Sequence, residues 1–346
     1  MAGAMLVATA CGSGGSGEHA WVAVGAVRIQ PGDPRPIRVF DALAPETVRT
    51  LDAATTGAHT LGKPGLYVGL RWSPDARQLA ALDVREATDR LHLRLFDREG
   101  GGEHAVDLPG RLVGYAWSPD STRIAFLSWD RVIIIDRTGR VIGDVEVPAR
   151  PDGSGSAVGE PSSTNWSPDS RYFAAGLNDA LVIVDRDAKG RAYDPSQFAP
   201  AARASTVGLV RWTSGEQFIV RATALTGTSA APPPPLAYDV TVASAGPTWT
   251  MRPAPAEDFT TPDMAKAMDA FRAAFPGTYV GTRYSSDGSA ILFELISAPG
   301  AADQPPRIVI WRDGQFRTVA LTTSSRPQGP GNLRGSYDVV FTGKRP

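Results

Sequence analysis

The chain has 346 residues, 21% of them charged, and a formal net charge of −1. This balance, with Lys and Arg scattered along the chain, gives no long-range attraction to nucleic acid or anionic lipid and predicts no nucleic-acid partner. The single cysteine, Cys11, excludes a disulfide within the chain and a thiolate metal cluster.

The N-terminal residues have the composition of a targeting segment. An apolar run over residues 2–10 leads to Cys11, and a Gly/Ser-rich stretch follows over residues 12–17. This arrangement resembles a bacterial lipoprotein signal, in which Cys11 becomes the lipidated first residue of the mature protein. We therefore expect residues 1–19 to be a signal and flexible tether that anchor the protein to a membrane outside the cytoplasm. The alternative is a disordered N-terminus with an incidental cysteine.

A twelve-residue unit recurs along the chain, as RWSPDARQLAAL, AWSPDSTRIAFL and NWSPDSRYFAAG. Its aromatic residue also anchors two less regular copies, and the five anchors are Trp72, Trp117, Trp166, Trp212 and Tyr284. The first three spacings are 45, 49 and 46 residues. They match the roughly 40–50 residues of a four-stranded propeller blade. The 36 glycines and 29 prolines, which stand mostly between short β-rich runs, favour the same all-β class.

Each unit contains a tight turn between two strands. The proline fixes φ at the first corner of the turn, and the aspartate accepts hydrogen bonds from the turn backbone. These residues are Pro74, Asp75, Pro119, Asp120, Pro168 and Asp169. In the fifth copy Asp287 and Gly288 supply the reversal without proline. We interpret these aspartates as structural, because turn chemistry alone accounts for them.

A second repeat consists of short β runs that continue into a turn. Its six copies, which we call the outer hairpins, lie at 37–45, 93–101, 132–140, 181–190, 236–246 and 308–316. Only five inner hairpins carry the aromatic unit. The counts agree if residues 335–343 pair with residues 20–29, because both termini then build one blade and close the ring. The sequence therefore predicts an all-β, six-bladed β-propeller of four-stranded antiparallel blades, in one domain over 20–346.

Residues 261–275 have helical periodicity. Thr261 is suited to cap a helix and Pro262 to occupy its first position. Four apolar residues fall on one helix face, namely Met264, Met268, Phe271 and Phe275. We expect a helical insert within about 253–280 that folds over the ring and buries this stripe. A lid or partner-docking helix is one alternative, and a seventh blade built from this segment is another.

The repeated Trp-Ser-Pro-Asp units with DRTG-like outer turns resemble the WD40-like (TolB-type, PD40-like) propeller repeats of bacterial periplasmic proteins. The resemblance covers most of residues 66–322 at the level of motifs. It implies a β-propeller. Such propellers serve as docking platforms in bacterial envelopes, as non-catalytic domains of peptidases, and as enzymes.

The two faces of the predicted disc differ in their connections. The inner and outer hairpin turns are short and lie on one face, which we call the tight-turn face. The long connections lie on the opposite, long-loop face, at 83–90, 149–163, 223–235, 253–280 and 296–306. Because binding usually uses loops on a rigid scaffold, we expect the long-loop face to bind a partner.

Catalytic motifs are missing from the sequence. There is no G-x-S-x-G motif and no phosphate-binding glycine loop, and the four histidines lack metal-ligand spacing. We therefore expect no catalytic, cofactor-binding or metal-binding residues. The predicted function is that of a monomeric, non-catalytic scaffold of the bacterial cell envelope that binds a protein partner. The alternative is a propeller enzyme, a lyase or glycan hydrolase, with candidate carboxylates Asp83, Glu86, Asp89, Glu160 and Asp303.

Overall fold

The fold is known from a computed structural model. It describes residues 17–24, 37–51, 66–84, 90–99, 103–109, 112–128, 130–147, 165–177, 180–193, 205–224, 236–243, 246–253, 261–276, 280–295, 307–320 and 337–342. These ranges contain 23 strands and one helix. No helix in the described part of the chain has the length and apolar character needed to cross a membrane.

The strands are short, as expected for propeller blades. The first half of the chain contains β1 (His19–Val24), β2 (Ile37–Asp41), β3 (Ala44–Leu51), β4 (Leu66–Trp72), β5 (Gln78–Val84), β6 (Arg90–Asp97), β7 (Glu103–Pro109), β8 (Leu112–Trp117), β9 (Arg123–Ser128), β10 (Arg131–Asp136) and β11 (Val141–Glu146). The second half contains β12 (Tyr172–Leu177), β13 (Ala180–Asp185), β14 (Gly190–Tyr193), β15 (Ser205–Trp212), β16 (Gln217–Ala224), β17 (Leu236–Thr241), β18 (Thr248–Pro253), α1 (Pro262–Ala274), β19 (Val280–Tyr284), β20 (Ile291–Leu295), β21 (Arg307–Arg312), β22 (Gln315–Ala320) and β23 (Tyr337–Thr342).

Within the described ranges these strands form six sheets, and the strand pairs are antiparallel. Sheet A has the order β23-β1-β2-β3, sheet B β4-β5-β6-β7, sheet C β11-β10-β9-β8, sheet D β12-β13-β14, sheet E β15-β16-β17-β18 and sheet F β19-β20-β21-β22. Sheet D adds a bridge between Trp166 and Phe173 at the place of an innermost strand. All six outer hairpins expected from the sequence are present.

The sheets are stacked through their apolar faces. Side chains alternate across a strand, so a sheet buried on both faces contributes to two cores. In sheet B, for example, Leu79 packs against sheet A, whereas Ala80 packs against sheet C. Five such apolar clusters join F to A, A to B, B to C, C to D and D to E. This arrangement is an all-β propeller, as predicted, while the count of six blades, with seven as the alternative, stays a prediction.

Sheet A is built from both ends of the chain. Strand β1 pairs with β23 in a register that sets His19 opposite Thr342 and Val24 opposite Tyr337. The predicted pairing of the two terminal segments is therefore confirmed for residues 19–24 and 337–342. Since β23 is the innermost strand and β1 the second, the chain closes sheet A only when its last strand is added.

A buried carboxylate joins three sheets at this closure. Asp338 lies on β23 and is fully buried. Its Oδ2 accepts hydrogen bonds from the Trp72 backbone N–H of sheet B, at 2.6 Å, and from the Ser286 hydroxyl of sheet F. Its Oδ1 accepts from Arg283 Nη1, also of sheet F, at 2.9 Å. We call Trp72, Arg283, Ser286 and Asp338 the closing cluster, because it links the inner edges of sheets F, A and B.

Helix α1 forms where the sequence predicted it. The Thr261 side chain caps it by accepting a hydrogen bond from the Met264 N–H at 3.1 Å. Its apolar stripe is buried against sheet F, where the Phe271 ring stacks on the Phe293 ring with centroids 4.3 Å apart. Phe271 is buried and the other three residues of the stripe are half-buried in this contact. The predicted packing of the stripe is thus confirmed, and the surface that it covers is the broad face of one sheet.

The closing cluster predicts a large effect of Asp338→Ala. The substitution leaves the Arg283 guanidinium and the Trp72 N–H without their carboxylate partner, and breaking a buried pair typically costs roughly 3–5 kcal/mol. We expect the free energy of unfolding, measured by urea denaturation, to fall by about that amount. Asp338→Asn keeps one acceptor oxygen and should lose less. Equal stability of the Asp338→Ala variant and the wild type would show that the cluster does not hold the sheets together.

Candidate functional site: the two faces of the propeller

The inner turns of sheets B, C and D share one hydrogen-bonding pattern. In sheet B the Ser73 hydroxyl donates to Asp75 Oδ1 at 2.6 Å and accepts from the Gln78 N–H at 3.0 Å, and Asp75 Oδ1 also accepts from the Arg77 N–H. Ala76, the fourth turn residue, has a φ of 54°. The inner turns of sheets C and D, which contain Pro119 and Pro168, repeat the pattern of the sheet B turn, which contains Pro74. The members are Ser118, Asp120 and Ser121 in sheet C and Ser167, Asp169 and Ser170 in sheet D.

Three of the five aromatic anchors donate a hydrogen bond to the backbone of the preceding sheet. The indole N–H of Trp117 donates to the Arg71 carbonyl at 3.2 Å, that of Trp166 to the Ala116 carbonyl at 3.1 Å, and that of Trp212 to the Asn165 carbonyl at 2.9 Å. Each acceptor directly precedes the anchor of the previous sheet. The anchors thus form a repeated tie between blades, in addition to filling the core.

The fourth turn residue ties neighbouring turns together. The Ser121 hydroxyl of sheet C accepts from the Asp75 N–H of sheet B, and the Ser170 hydroxyl of sheet D accepts from the Asp120 N–H of sheet C, both at 2.9 Å. In sheet E the fourth turn residue is Glu216, whose Oε1 accepts from Arg171 Nη2 of sheet D at 3.1 Å, and a Cβ on the preceding Gly215 would overlap the Asp169 carboxylate. The turns are therefore fitted to one another across the tight-turn face.

Arginines of the outer hairpins add a second set of ties. Arg137 Nη1 of sheet C lies 3.9 Å from Asp75 Oδ2 of sheet B, and Arg186 Nη2 of sheet D lies 3.4 Å from Asp120 Oδ2 of sheet C. The Arg98 guanidinium of sheet B lies 4.8 Å from the ring centroid of Trp21 in sheet A. Each arginine follows the aspartate that ends the third strand of its sheet. Asp75 and Asp120 therefore each contact a serine of their own turn and an arginine of the next sheet.

The electrostatics of this face keep two of its turn aspartates, Asp120 and Asp169, ionised. Burial opposes ionisation of Asp120, but hydrogen bonds from Ser118 and Thr122 and the charge of Arg186 outweigh it and lower the pKa of this carboxyl group. The pKa of Asp169 is lowered in the same way by Ser167 and Arg171, against the effect of burial. Carboxylates with lowered pKa values accept hydrogen bonds well and are poor proton donors near neutral pH. Asp120 and Asp169 are therefore suited to accept hydrogen bonds within the fold.

Asp287 and Tyr284 depart from the pattern of the other copies. Oδ1 of Asp287 is buried without a hydrogen-bond partner. The neighbouring Ser286 carries the polar contact of this turn, to Asp338. The Tyr284 hydroxyl lies 2.6 Å from Thr261 Oγ1, at the start of α1. The fifth copy is therefore adapted to the helix and to the closing cluster.

The predicted long-loop face falls mainly outside the described residues. So do Cys11 and four of the five carboxylates of the enzyme alternative, namely Glu86, Asp89, Glu160 and Asp303, while Asp83 lies in β5. No group of three side chains suited to hold a metal ion comes together within the described ranges. Both the partner-binding face and the enzyme alternative stay predictions.

Three kinds of residue that make contacts between sheets in the structure were not predicted from the sequence. The outer arginines could have been found, since Arg98, Arg137 and Arg186 each follow an aspartate in the same hairpin repeat. Glu216 carried a signal too, because it holds the fourth position after its anchor, where the other Trp copies have alanine or serine. Asp338 carried no local signal, as its partners lie more than 50 residues away in sequence.

The protein belongs to the β-propeller class by its own topology. No protein family model matches the chain, and no curated protein matches it. Among solved structures, it is 13% identical to the β-propeller domain of the Trilobed protease from Pyrococcus furiosus, over 89% of this chain and 83% of that one, with a TM-score of 0.40. It is 14% identical to the β-propeller domain of Myceliophteria thermophila Cps50 (Swd1), over 93% of each chain, with a TM-score of 0.40.

A third solved structure, of the eukaryotic initiation factor, is 11% identical to the chain. The match covers 86% of this chain and 62% of that one, with a TM-score of 0.37. The chain therefore spans less than two thirds of that protein's length.

The turn-to-turn tie can be tested at Ser121. Ser121→Ala removes the acceptor of the Asp75 N–H and should lower the free energy of unfolding by about 1 kcal/mol, measured by urea denaturation. Ser121→Gly removes the same hydroxyl but adopts the φ of 61° without strain, so it should cost less. If Ser121→Ala leaves the stability unchanged, the hydroxyl does not tie the two blades.

The paired aspartates predict a loss of stability in acid. Burial opposes ionisation of Asp136, but hydrogen bonds from Thr138 and Arg140 outweigh it and lower the pKa of its carboxyl group. Its stabilising effect is therefore present above the unfolded pKa of about 3.9 and is lost as the pH falls toward the lower folded pKa. We expect the unfolding midpoint in urea to drop below about pH 4, and Asp136→Asn to be less stable at pH 7 with a shallower acid dependence.

The control for Asp136→Asn is Asp313→Asn, at a side chain that is 76% exposed. This variant should follow the wild-type pH profile. Identical profiles for Asp136→Asn and the wild type would contradict the assignment of acid sensitivity to the turn carboxylates.

Proposed function

We propose that the protein is a monomeric, non-catalytic scaffold of a bacterial cell envelope, anchored through a lipid on Cys11 and binding a protein partner on its long-loop face. The observation that carries the proposal is that the polar groups of one face are engaged in structural contacts, whereas the long connections leave from the other. On the tight-turn face the carboxylates, hydroxyls and arginines described above are engaged in turns and ties between blades. The long connections leave from the opposite face, where binding loops on a rigid scaffold are expected.

The attachment point of the N-terminal segment supports this orientation. Strand β1 begins at His19, whose Nδ1 lies 2.7 Å from Oδ2 of Asp41, at the outer hairpin of sheet A. Glu18 pairs with Arg312, at the outer hairpin of sheet F. The outer hairpins belong to the tight-turn face. The segment that carries Cys11 therefore joins the propeller on that face.

The length of the tether then sets the position of the disc. Eight residue steps separate Cys11 from His19. They reach at most roughly 29 Å when fully extended. A lipid on Cys11 would hold the tight-turn face this close to the membrane and direct the long-loop face away from it. A partner in the envelope would then meet the long-loop face first.

Lipidation predicts a specific chemical label. In cells fed an alkyne analogue of palmitate, the wild-type protein should be labelled and recovered with membranes. The Cys11→Ser variant should be unlabelled and recovered with the soluble fraction, with the propeller still folded by circular dichroism. Labelling of the variant, or an unlabelled wild-type protein, would rule out this anchor.

The binding face can be tested by site-specific photo-crosslinking in cells. A photoreactive phenylalanine at Ala157 or Ala230, in two of the long connections, should yield a discrete cross-linked product. The same residue at Thr138 or Lys189, on the tight-turn face, serves as the control and should yield none. Products from the control positions alone would place the partner on the wrong face and contradict the proposal.

A further inference from the structure

One residue position is shared by the innermost segments of the six sheets. In sheets B to F it directly precedes the aromatic anchor, as Arg71 precedes Trp72. Arg71 lies opposite Ala80 of β5. In sheet A the counterpart of Ala80 is Ala23 of β1, and Asp338 lies opposite it. We call these six positions the inner ring, whose members are Arg71, Ala116, Asn165, Arg211, Arg283 and Asp338.

Hydrogen bonds hold the inner ring in one layer. The carbonyls of Arg71, Ala116 and Asn165 each accept the indole N–H of the next anchor. The Asp338 carboxylate accepts hydrogen bonds from sheets B and F. These contacts run from sheet F through A, B, C and D to E. Because the innermost segments of a propeller surround its central channel, the inner ring lies around the axis, near the tight-turn face to which the anchors lead.

Cations outnumber anions in the inner ring, which contains three arginines and one aspartate. Arg283 is bonded to Asp338, with 2.9 Å between Nη1 and Oδ1. A second buried carboxylate, Glu294, lies on the neighbouring strand β20 and points to the same face as Leu292, toward sheet A. Both carboxylates therefore lie with Arg283 on the side of the ring that sheets F and A share.

The other two arginines of the inner ring lie on sheets E and B. Trp212 packs into the cluster shared with sheet D, so the neighbouring Arg211 leaves β15 on the opposite face. Its Nε is buried and has no hydrogen-bond partner among the described residues. A buried N–H without an acceptor has lost its water without compensation, and an acceptor bound from solution would satisfy it. Arg71 Nη1 donates to the Leu70 carbonyl at 3.1 Å, which keeps this guanidinium beside the innermost strand.

From these observations we infer that the inner ring binds a small oxyanion in the central channel, with Arg211 as its main ligand and Arg71 as a second cation. The N–H groups of a guanidinium form a fork that matches two oxygens of a phosphate or a carboxylate group. Cations that line a channel also raise the local concentration of anions. The inference rests on the propeller class and is independent of the proposed anchor and partner.

Titration calorimetry tests the inference, with inorganic phosphate and malonate as the probes. The protein is the full chain with Cys11→Ser, and added chloride keeps the ionic strength constant, so that general screening does not change. One test variant, Arg211→Met, removes the guanidinium but keeps an unbranched side chain. The other, Arg211→Lys, keeps the charge without the fork. The control variant is Arg77→Met, at an inner-turn arginine whose side chain is 73% exposed.

We expect the wild type to bind at least one probe with a Kd of about 1 mM or below. The affinity should fall about tenfold or more in Arg211→Met, fall less in Arg211→Lys and stay unchanged in Arg77→Met. Binding of phosphate alone would identify a phosphate site, and binding of malonate alone a carboxylate site. No binding of either probe by the wild type, or an equal loss in Arg77→Met, would overturn the inference. Equal affinities of the wild type and Arg211→Met would also overturn it, and if that variant does not fold, the same comparison with Arg211→Lys decides.

Discussion

A β-sheet with apolar side chains on both faces has to be covered on both sides, and the rest of this structure depends on that constraint. Sheet B illustrates it, with Leu79 directed to one neighbour and Ala80 to the other. A single blade of this kind exposes too much apolar surface to be stable alone, so stability comes from the stack. The chain covers its sheets by repeating one unit along the sequence and by building sheet A from strands of both ends.

The parts of the fold that depend on local chemistry could be predicted from the sequence. Trp72, Pro74 and Asp75 mark a strand end and a turn within a few residues, and their repetition indicates blades of similar size. The pairing of the two termini followed from counting hairpins, since the unpaired strand at each end can complete a blade only with the other. Helix α1 followed from its cap and its stripe of Met and Phe residues.

Contacts between residues distant in sequence could not be predicted in the same way. Asp338 lies in a strand whose sequence shows nothing unusual. Its role as a buried acceptor depends on Trp72 and Arg283, which donate hydrogen bonds to it from two other sheets. The place of α1 was likewise open. Its stripe predicted burial, but the stripe alone does not indicate which sheet covers it. For the proposed binding face, the connections at 149–163, 223–235 and 296–306 are rich in Gly, Pro, Ser and Ala, so their local sequence does not indicate a ligand.

The fourth residue of the inner turn carries a consequence for assembly. It is Ala76 where the turn packs into the core with sheet A, Ser121 and Ser170 where it accepts a hydrogen bond from a neighbouring turn, and Glu216 where it pairs with Arg171 of sheet D. The copies are thus not interchangeable, although they look alike. Each copy is fitted to its own neighbour, and a chain that stacked its repeats in the wrong order would lose hydrogen bonds or an ion pair at this position.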